Sequence, residues 1–176
     1  MKKQKRLFFT VIYYLILKWF PHSTIPLVGP ISEKLRYYCC KNIFESCDKG
    51  VNVGKNARFG NGRSIKIGFK SGIGINAKIP NNIIIGDYVM MGQNVTIFGS
   101  NHIFDRTDIP MMKQGMKSHS PVVIEDDVWI GSNVIILPGR RIKKGSIIAA
   151  GTVLTKDFPE YSIVGGNPSK LIKSRV

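Results

Sequence analysis

From about residue 51 the apolar positions follow neither a helical period nor the alternation of a simple strand, but recur at every sixth residue. Ile67, Ile73, Ile79, Ile85, Met91 and Ile97 stand six apart, and after an interruption so do Ile124, Ile130, Ile136, Ile142, Ile148 and Leu154. Val53 and Phe59 begin an earlier, offset frame. Glycine often follows the aliphatic residue, as in Ile67-Gly68, Ile73-Gly74, Ile85-Gly86 and Ile130-Gly131. One inward aliphatic in six predicts short strands joined by tight turns, in which Gly, Asn and Asp supply positive φ or close backbone approach. Three hexads make one triangular coil of about 18 residues, and stacked coils pair through parallel backbone hydrogen bonds around an aliphatic ladder. The fold class is all-β, a parallel β-helix over residues 51–173. Most of these Ile and Gly residues hold a prism together and do no chemistry.

Between Ile97 and Ile124 the spacing is not a multiple of six, so a loop, about residues 98–121, leaves the prism. It holds His102, His119, Met111, Met112 and Met116, and functional groups concentrate on long loops carried by rigid scaffolds.

Residues 1–50 have a different texture and form an N-terminal helical, apolar segment. Leu7 to Phe20 is apolar except for Thr10 and Lys18 and follows Lys2, Lys3, Lys5 and Arg6, the order of regions in a secretory signal. No small-residue cleavage site follows, and Pro21 ends the run. A helix of about 14 residues spans roughly 21 Å against a hydrocarbon core of about 30 Å, too short to cross. Two placements remain open. Either residues 1–20 lie as an interfacial helix on the inner membrane face, or they pack on the body of the protein or a neighbouring subunit. Tyr13, Tyr14, Trp19 and Phe20 suit both.

Hydrophobic residues at 43% and charged residues at 21% exclude a disordered chain. The balance of 26 Lys and Arg against 11 Asp and Glu, a net charge of +15, draws the protein toward phosphates or anionic surfaces. Apart from the first six residues the cations are scattered, so nucleic acid is not an expected partner. Cys39, Cys40 and Cys47 offer neither a disulfide framework nor metal-knuckle spacing, which fits a reducing cytoplasm.

Four segments together resemble the hexapeptide-repeat acyltransferases, in particular the O-acetyltransferases that include galactoside, maltose and colanic acid acetyltransferases. They are Asn101-His102-Ile103-Phe104-Asp105, Asp127-Val128-Trp129-Ile130-Gly131, Gly151-Thr152-Val153-Leu154-Thr155-Lys156-Asp157, and Gly166-Asn167-Pro168-Ser169-Lys170-Leu171-Ile172-Lys173. The resemblance implies a left-handed coil, whereas the usual crossover preference favours the right hand. It also implies a homotrimer with active sites between neighbouring prisms, and direct transfer from acetyl-CoA to a carbohydrate acceptor with no acyl-enzyme.

An alcohol is a poor nucleophile at neutral pH, so the transfer needs a base, and imidazole is largely neutral there. The resemblance gives that role to His102, with Asp105 as a residue that orients it. The tetrahedral intermediate needs donors, for which the turn from Trp129 to Ser132 and the Trp129 indole N–H are candidates. By the same resemblance Ser132, Ala150, Thr155, Lys156, Lys170 and Lys173 match acetyl-CoA contacts, and Asn76 falls near an acceptor contact. The last two lysines replace arginines of the galactoside enzyme, so a point charge stands where a bidentate fork would grip phosphate. A related β-helix family holds zinc with three histidines; here only His102 and His119 lie in the repeat region, with His22 far upstream, so no metal is expected. The function expected is acetyl-CoA-dependent O-acetylation of a carbohydrate in surface polysaccharide or lipopolysaccharide synthesis. A serine O-acetyltransferase and a non-catalytic β-helix scaffold are the alternatives.

Overall fold

The computed structural model describes residues 2–118 and 120–176. Two helices open the chain, α1 (Lys2–Leu15) and α2 (Val28–Ile43), and strands of mostly two residues follow. The strands stack into three sheets, the faces of a left-handed triangular prism of about six turns. The first face holds Ser46–Cys47, Lys66–Ile67, Ile84–Ile85, Val123–Ile124 and Arg141–Ile142. The second holds Asn52–Val53, Gly72–Ile73, Met90–Met91, Trp129–Ile130, Ile147–Ile148 and Ser162–Gly165, and Gly72 N–H donates to the Val89 carbonyl to join its two halves. The third is built from Thr96–Ile97, Ile135–Ile136 and Val153–Leu154, extended by single bridges from Thr96 to Lys78 and from Lys78 to Arg58.

Ile67 pairs with Ile85, Ile85 with Ile124 and Ile124 with Ile142, so every inward aliphatic rests on the one in the next coil. All the six-spaced residues except Met91 are buried. Each such side chain contributes roughly 1.5–3 kcal/mol by leaving water, but only between two neighbouring coils, so no coil is stable alone. Partners one coil apart differ by 20 in number in the first coil, as Asn56 and Asn76 do, by 18 in the next, as Asn76 and Asn94 do, and by 39 across the loop, as Asn94 and Asn133 do. The long loop is therefore inserted without disturbing the register.

The corner after the second face is the most regular. Asn56, Asn76, Asn94 and Asn133 all adopt φ between 55° and 59°, the left-handed region that Asn tolerates. Each donates its side-chain amide to the carbonyl oxygen of the next, at 3.0 Å throughout. The turn begins with glycine because a Cβ on Gly74 would collide with the Gly92 carbonyl oxygen.

The apolar N-terminal run is not one helix. α1 stops at Leu15, a 3-10 turn follows at Leu17–Trp19, and the chain reverses before α2. Tyr13 and Leu17 are buried; the Tyr13 hydroxyl donates to the Ala57 carbonyl at 2.9 Å, and the Phe59 N–H donates to the Tyr14 hydroxyl at 3.0 Å. Phe59 stacks with Tyr13 and Phe44, at 4.6 and 4.9 Å between ring centres, closing the first end of the prism. α1 thus packs on the body along one side. The β-helix also begins earlier than residue 51, at Ser46–Cys47, which pairs with Lys66–Ile67. Cys47 takes the inward place, and a thiol standing for an aliphatic hides that rung from the pattern.

Candidate active site

The loop leaves the prism after Ile97, at the corner between the third and first faces, and rejoins it at Val123. It opens as an antiparallel hairpin, Ser100–His102 against Met116–Ser118, with His102 opposite Met116. Gln114 fastens the tip: its amide nitrogen donates to the carbonyls of Arg106 and Ile109 at 2.8 and 3.1 Å, and its oxygen accepts the Arg106 N–H at 3.1 Å. Arg106 also pairs with Asp108. The His102 side chain is exposed on this framework.

Asp105 is exposed in the same loop, and among the described residues no side-chain hydrogen bond joins it to His102. The expected orienting contact is not formed within this chain; Gln114, which the sequence did not single out, organises the loop instead. A lone amide carries no signal until the fold brings its backbone partners around it. His119 lies outside the described residues. Among the described residues no cluster of three His, Cys, Asp or Glu side chains is arranged to hold a metal.

Trp129 stands half-exposed on the second face, between Met90 and Ile147 of the adjoining coils. In a three-sided prism that face is opposite the corner from which the hairpin departs, so one chain does not bring Trp129 and His102 together. The Trp129 and Gly131 N–H groups donate to the Ser146 and Ile148 carbonyls, at 3.0 and 2.8 Å, and are thereby committed to the sheet.

Ser132 and Ala150 sit one coil apart on the corner between the second and third faces, beside the asparagine ladder. The Gly151 N–H donates to the Ser132 carbonyl at 2.9 Å, but among the described residues the N–H groups of Ser132 and Ala150 have no protein acceptor. Gly131 keeps this part of the corner narrow, since a Cβ there would come within 2.5 Å of the Ala150 nitrogen. Along the same corner toward the N-terminal end lies a polar cavity of about 210 Å³, lined by His22, Ser23, Asn52, Gly74, Met91 and Gln93 among others. Met91, the one partly exposed rung, opens onto it. Asn76 is the ladder's second rung, accepting from Asn56 and donating to Asn94.

Thr155 and Lys156 occupy the corner after the third face. The Thr155 N–H donates to the hydroxyl of buried Ser169 at 3.0 Å, and the two hydroxyls lie 3.1 Å apart. This contact straps the C-terminal hairpin, Ser162–Gly165 with Lys170–Ser174, over the end of the prism. Lys156, Lys170 and Lys173 are exposed. Thr155 itself is fastened on both sides, its carbonyl accepting from Arg140 at 3.2 Å.

The family model described as bacterial transferase hexapeptide (six repeats) matches residues 121–156. A maltose O-acetyltransferase structure from Clostridium difficile 630 superposes with a TM-score of 0.76 at 30% identity, covering 98% of this chain and 87% of that one. The chain belongs to the hexapeptide-repeat acetyltransferase family. A family member from Vibrio cholerae O1 biovar eltor, solved with acetyl coenzyme A, superposes at a TM-score of 0.70 and 26% identity over 98% of this chain and 86% of its own. A galactoside O-acetyltransferase from Lactococcus lactis is 35% identical over 123 residues, 70% of this chain and 55% of the relative. This family member spans about half the length of the curated relatives it matches.

Proposed function

We propose that this chain is an acetyl-CoA-dependent O-acetyltransferase that esterifies a carbohydrate hydroxyl, acting as a cytoplasmic homotrimer in surface polysaccharide or lipopolysaccharide synthesis. One continuous prism corner carries the reading. It runs from a polar cavity of about 210 Å³, past the free N–H groups of Ser132 and Ala150, to the C-terminal hairpin, where Lys170 and Lys173 are exposed, while Lys156 stands exposed on the corner after the third face. A slender pantetheine arm fits such a corner, an amide carbonyl of it accepting from the free Ala150 N–H. The lysines stand at the end suited to phosphates. The cavity would take the sugar.

In the reaction an unprotonated ring nitrogen of His102 accepts the proton of the sugar hydroxyl as its oxygen attacks the thioester carbonyl carbon. The tetrahedral oxyanion collapses, the carbon–sulfur bond breaks, and the departing thiolate takes the proton back from the imidazolium. The products are an acetyl ester and free CoA. The separation of His102 from Trp129 and Ser132 within one chain supports the trimer, because a hairpin from one prism reaching a neighbour's corner completes the set. In that arrangement the Ser132 N–H, rather than those of Trp129 and Gly131, is the donor open to the oxyanion. The maltose and galactoside enzymes above lend support to a sugar acceptor.

A thiol-reagent assay with acetyl-CoA tests this directly. Burial pushes the Cys39 thiol up to about 11 and Cys47 up to about 12, and raises enclosed Cys40 as well, which lowers the thiolate fraction of the protein's own cysteines and so their background reaction with the reagent. CoA release that depends on galactosides, maltose or a lipopolysaccharide-derived oligosaccharide is the expected outcome. Serine-dependent release assigns the chain to serine acetylation instead, and no release with any acceptor leaves a scaffold.

A further inference from the structure

Each N-terminal helix carries two apolar sides, and only one of each faces the protein. On α1 the inward side holds Tyr13, while Leu7, Phe8, Val11 and Leu15, one helical face by their spacing, are 46–72% exposed. On α2 the inward side holds Arg36, Cys39, Cys40 and Ile43, while Val28, Ile31, Leu35 and Tyr38 form an outward stripe that is 40–58% exposed. Edge-to-face contacts of Phe9 with Phe8 at 5.6 Å and with Tyr38 at 5.8 Å join the two stripes into one surface. An apolar cavity of about 180 Å³ between Phe20, Pro21, Val28 and Ile31 opens within it. A contiguous apolar surface across two helices exceeds the scattered exposure normal for a soluble domain.

The charge around this surface has one sign. Lys3, Lys5, Lys34 and Lys41 are exposed on the same helices, and Glu33 is the one carboxylate in residues 1–44. Lys18 lies 4.4 Å over the Trp19 ring and Lys5 lies 5.9 Å over that of Phe9, the arrangement of side chains that keep an apolar body and a charged tip at a water boundary. A second copy of the same face is a poor partner for it, because it would set these cations against the same cations. Neither helix can cross a bilayer, since lengths of 14 and 16 residues reach roughly 21 and 24 Å against about 30 Å. Their inner sides are also held flat on the prism end.

We propose that the outward face of α1 and α2 docks the protein on an anionic lipid bilayer, with the helices lying in the interface and the prism standing away from it. The apolar stripes enter the acyl boundary, and each nearby cation strengthens binding by about fivefold, corresponding to about 1 kcal/mol. The loop between the helices carries His22 and Ser23 into the polar cavity, so, on the acceptor reading above, the sugar site opens beside the lipid surface.

Co-sedimentation of the full chain with vesicles needs neither acetyl-CoA nor a sugar, so it stands apart from the test of activity. The full chain should sediment with pure phosphatidylglycerol vesicles at low salt, much less with pure phosphatidylcholine, and added salt should weaken the binding without abolishing it. The double variant Phe8→Glu, Ile31→Glu should bind phosphatidylglycerol at least about tenfold more weakly, with thermal unfolding and light-scattering mass unchanged. Lys3→Gln with Lys5→Gln, at two exposed positions, should weaken binding and flatten its salt dependence. No binding to phosphatidylglycerol at low salt, equal binding to both lipids, or wild-type binding by both variants would overturn the proposal. A fall in light-scattering mass in the double variant would assign the face to another copy of the chain.

Discussion

His102 stands exposed on a hairpin whose backbone is held by Gln114 and not by the imidazole itself. Its replacement by alanine should therefore leave the fold intact, lower turnover by about 100-fold to 10,000-fold, and leave acetyl-CoA affinity nearly unchanged. Steady-state kinetics with titration calorimetry checks this, and activity within a few-fold of wild type removes His102 from the mechanism. Its place in a polar excursion from a regular repeat is legible in the residue string. The surroundings of Asp105 and Asn76 are not, for different reasons. Three residues in a loop define no geometry, and the amide of Asn76 gains its two partners only when Asn56 and Asn94 are stacked 20 and 18 residues away. The same stacking commits the Trp129 and Gly131 N–H groups to the sheet and leaves those of Ser132 and Ala150 open.

Arg36 ties the helical cap to the prism. Buried to 1% exposure, its guanidinium donates to the carbonyls of Val53 at 2.7 Å, Pro21 at 3.2 Å and Phe20 at 3.4 Å, so α2, the reversal after α1 and the first coil meet at one side chain. Desolvation lowers its pKa, and Tyr13 and Glu33 oppose that shift. Arg36→Ala should destabilise the protein by roughly 3–5 kcal/mol, since it leaves carbonyls unpartnered and opens a cavity at once. Chemical unfolding measures the loss, and a change below about 1 kcal/mol would show that the cap holds without this residue. At the level of elements the six-residue period predicts nearly every strand of the prism, because each short strand has one side that must be buried. It could not show that the N-terminal apolar run breaks at Leu15, since a run apolar on two sides does not say which side the body will take.

The positive field of the whole molecule sets how the cofactor end should respond to salt. Lys156, Lys170 and Lys173 are exposed point charges, and at a net charge of +15 they act within a field that already attracts phosphates. Replacing each by alanine should weaken acetyl-CoA binding, more at low salt than at high, because exposed charges are screened over about 10 Å at ~0.1 M salt. Titration calorimetry at two ionic strengths decides it, and unchanged affinity in all three variants moves the cofactor elsewhere. The sequence by itself determined the repeat, the inward ladder and the position of the loop, since these follow from which side chains recur and how far apart, and its four motif segments carried the resemblance to the family. Only the tertiary structure decided what shares a corner with what. It placed Ser132 and Ala150 on one edge with a cavity whose walls come from residues as distant as His22 and Gln93, and it set the His102 hairpin opposite Trp129. It also left the two helices with an outward apolar face. Those relations depend on how the coils turn and which ends are covered, and they exist only once non-local backbone pairing has closed the prism.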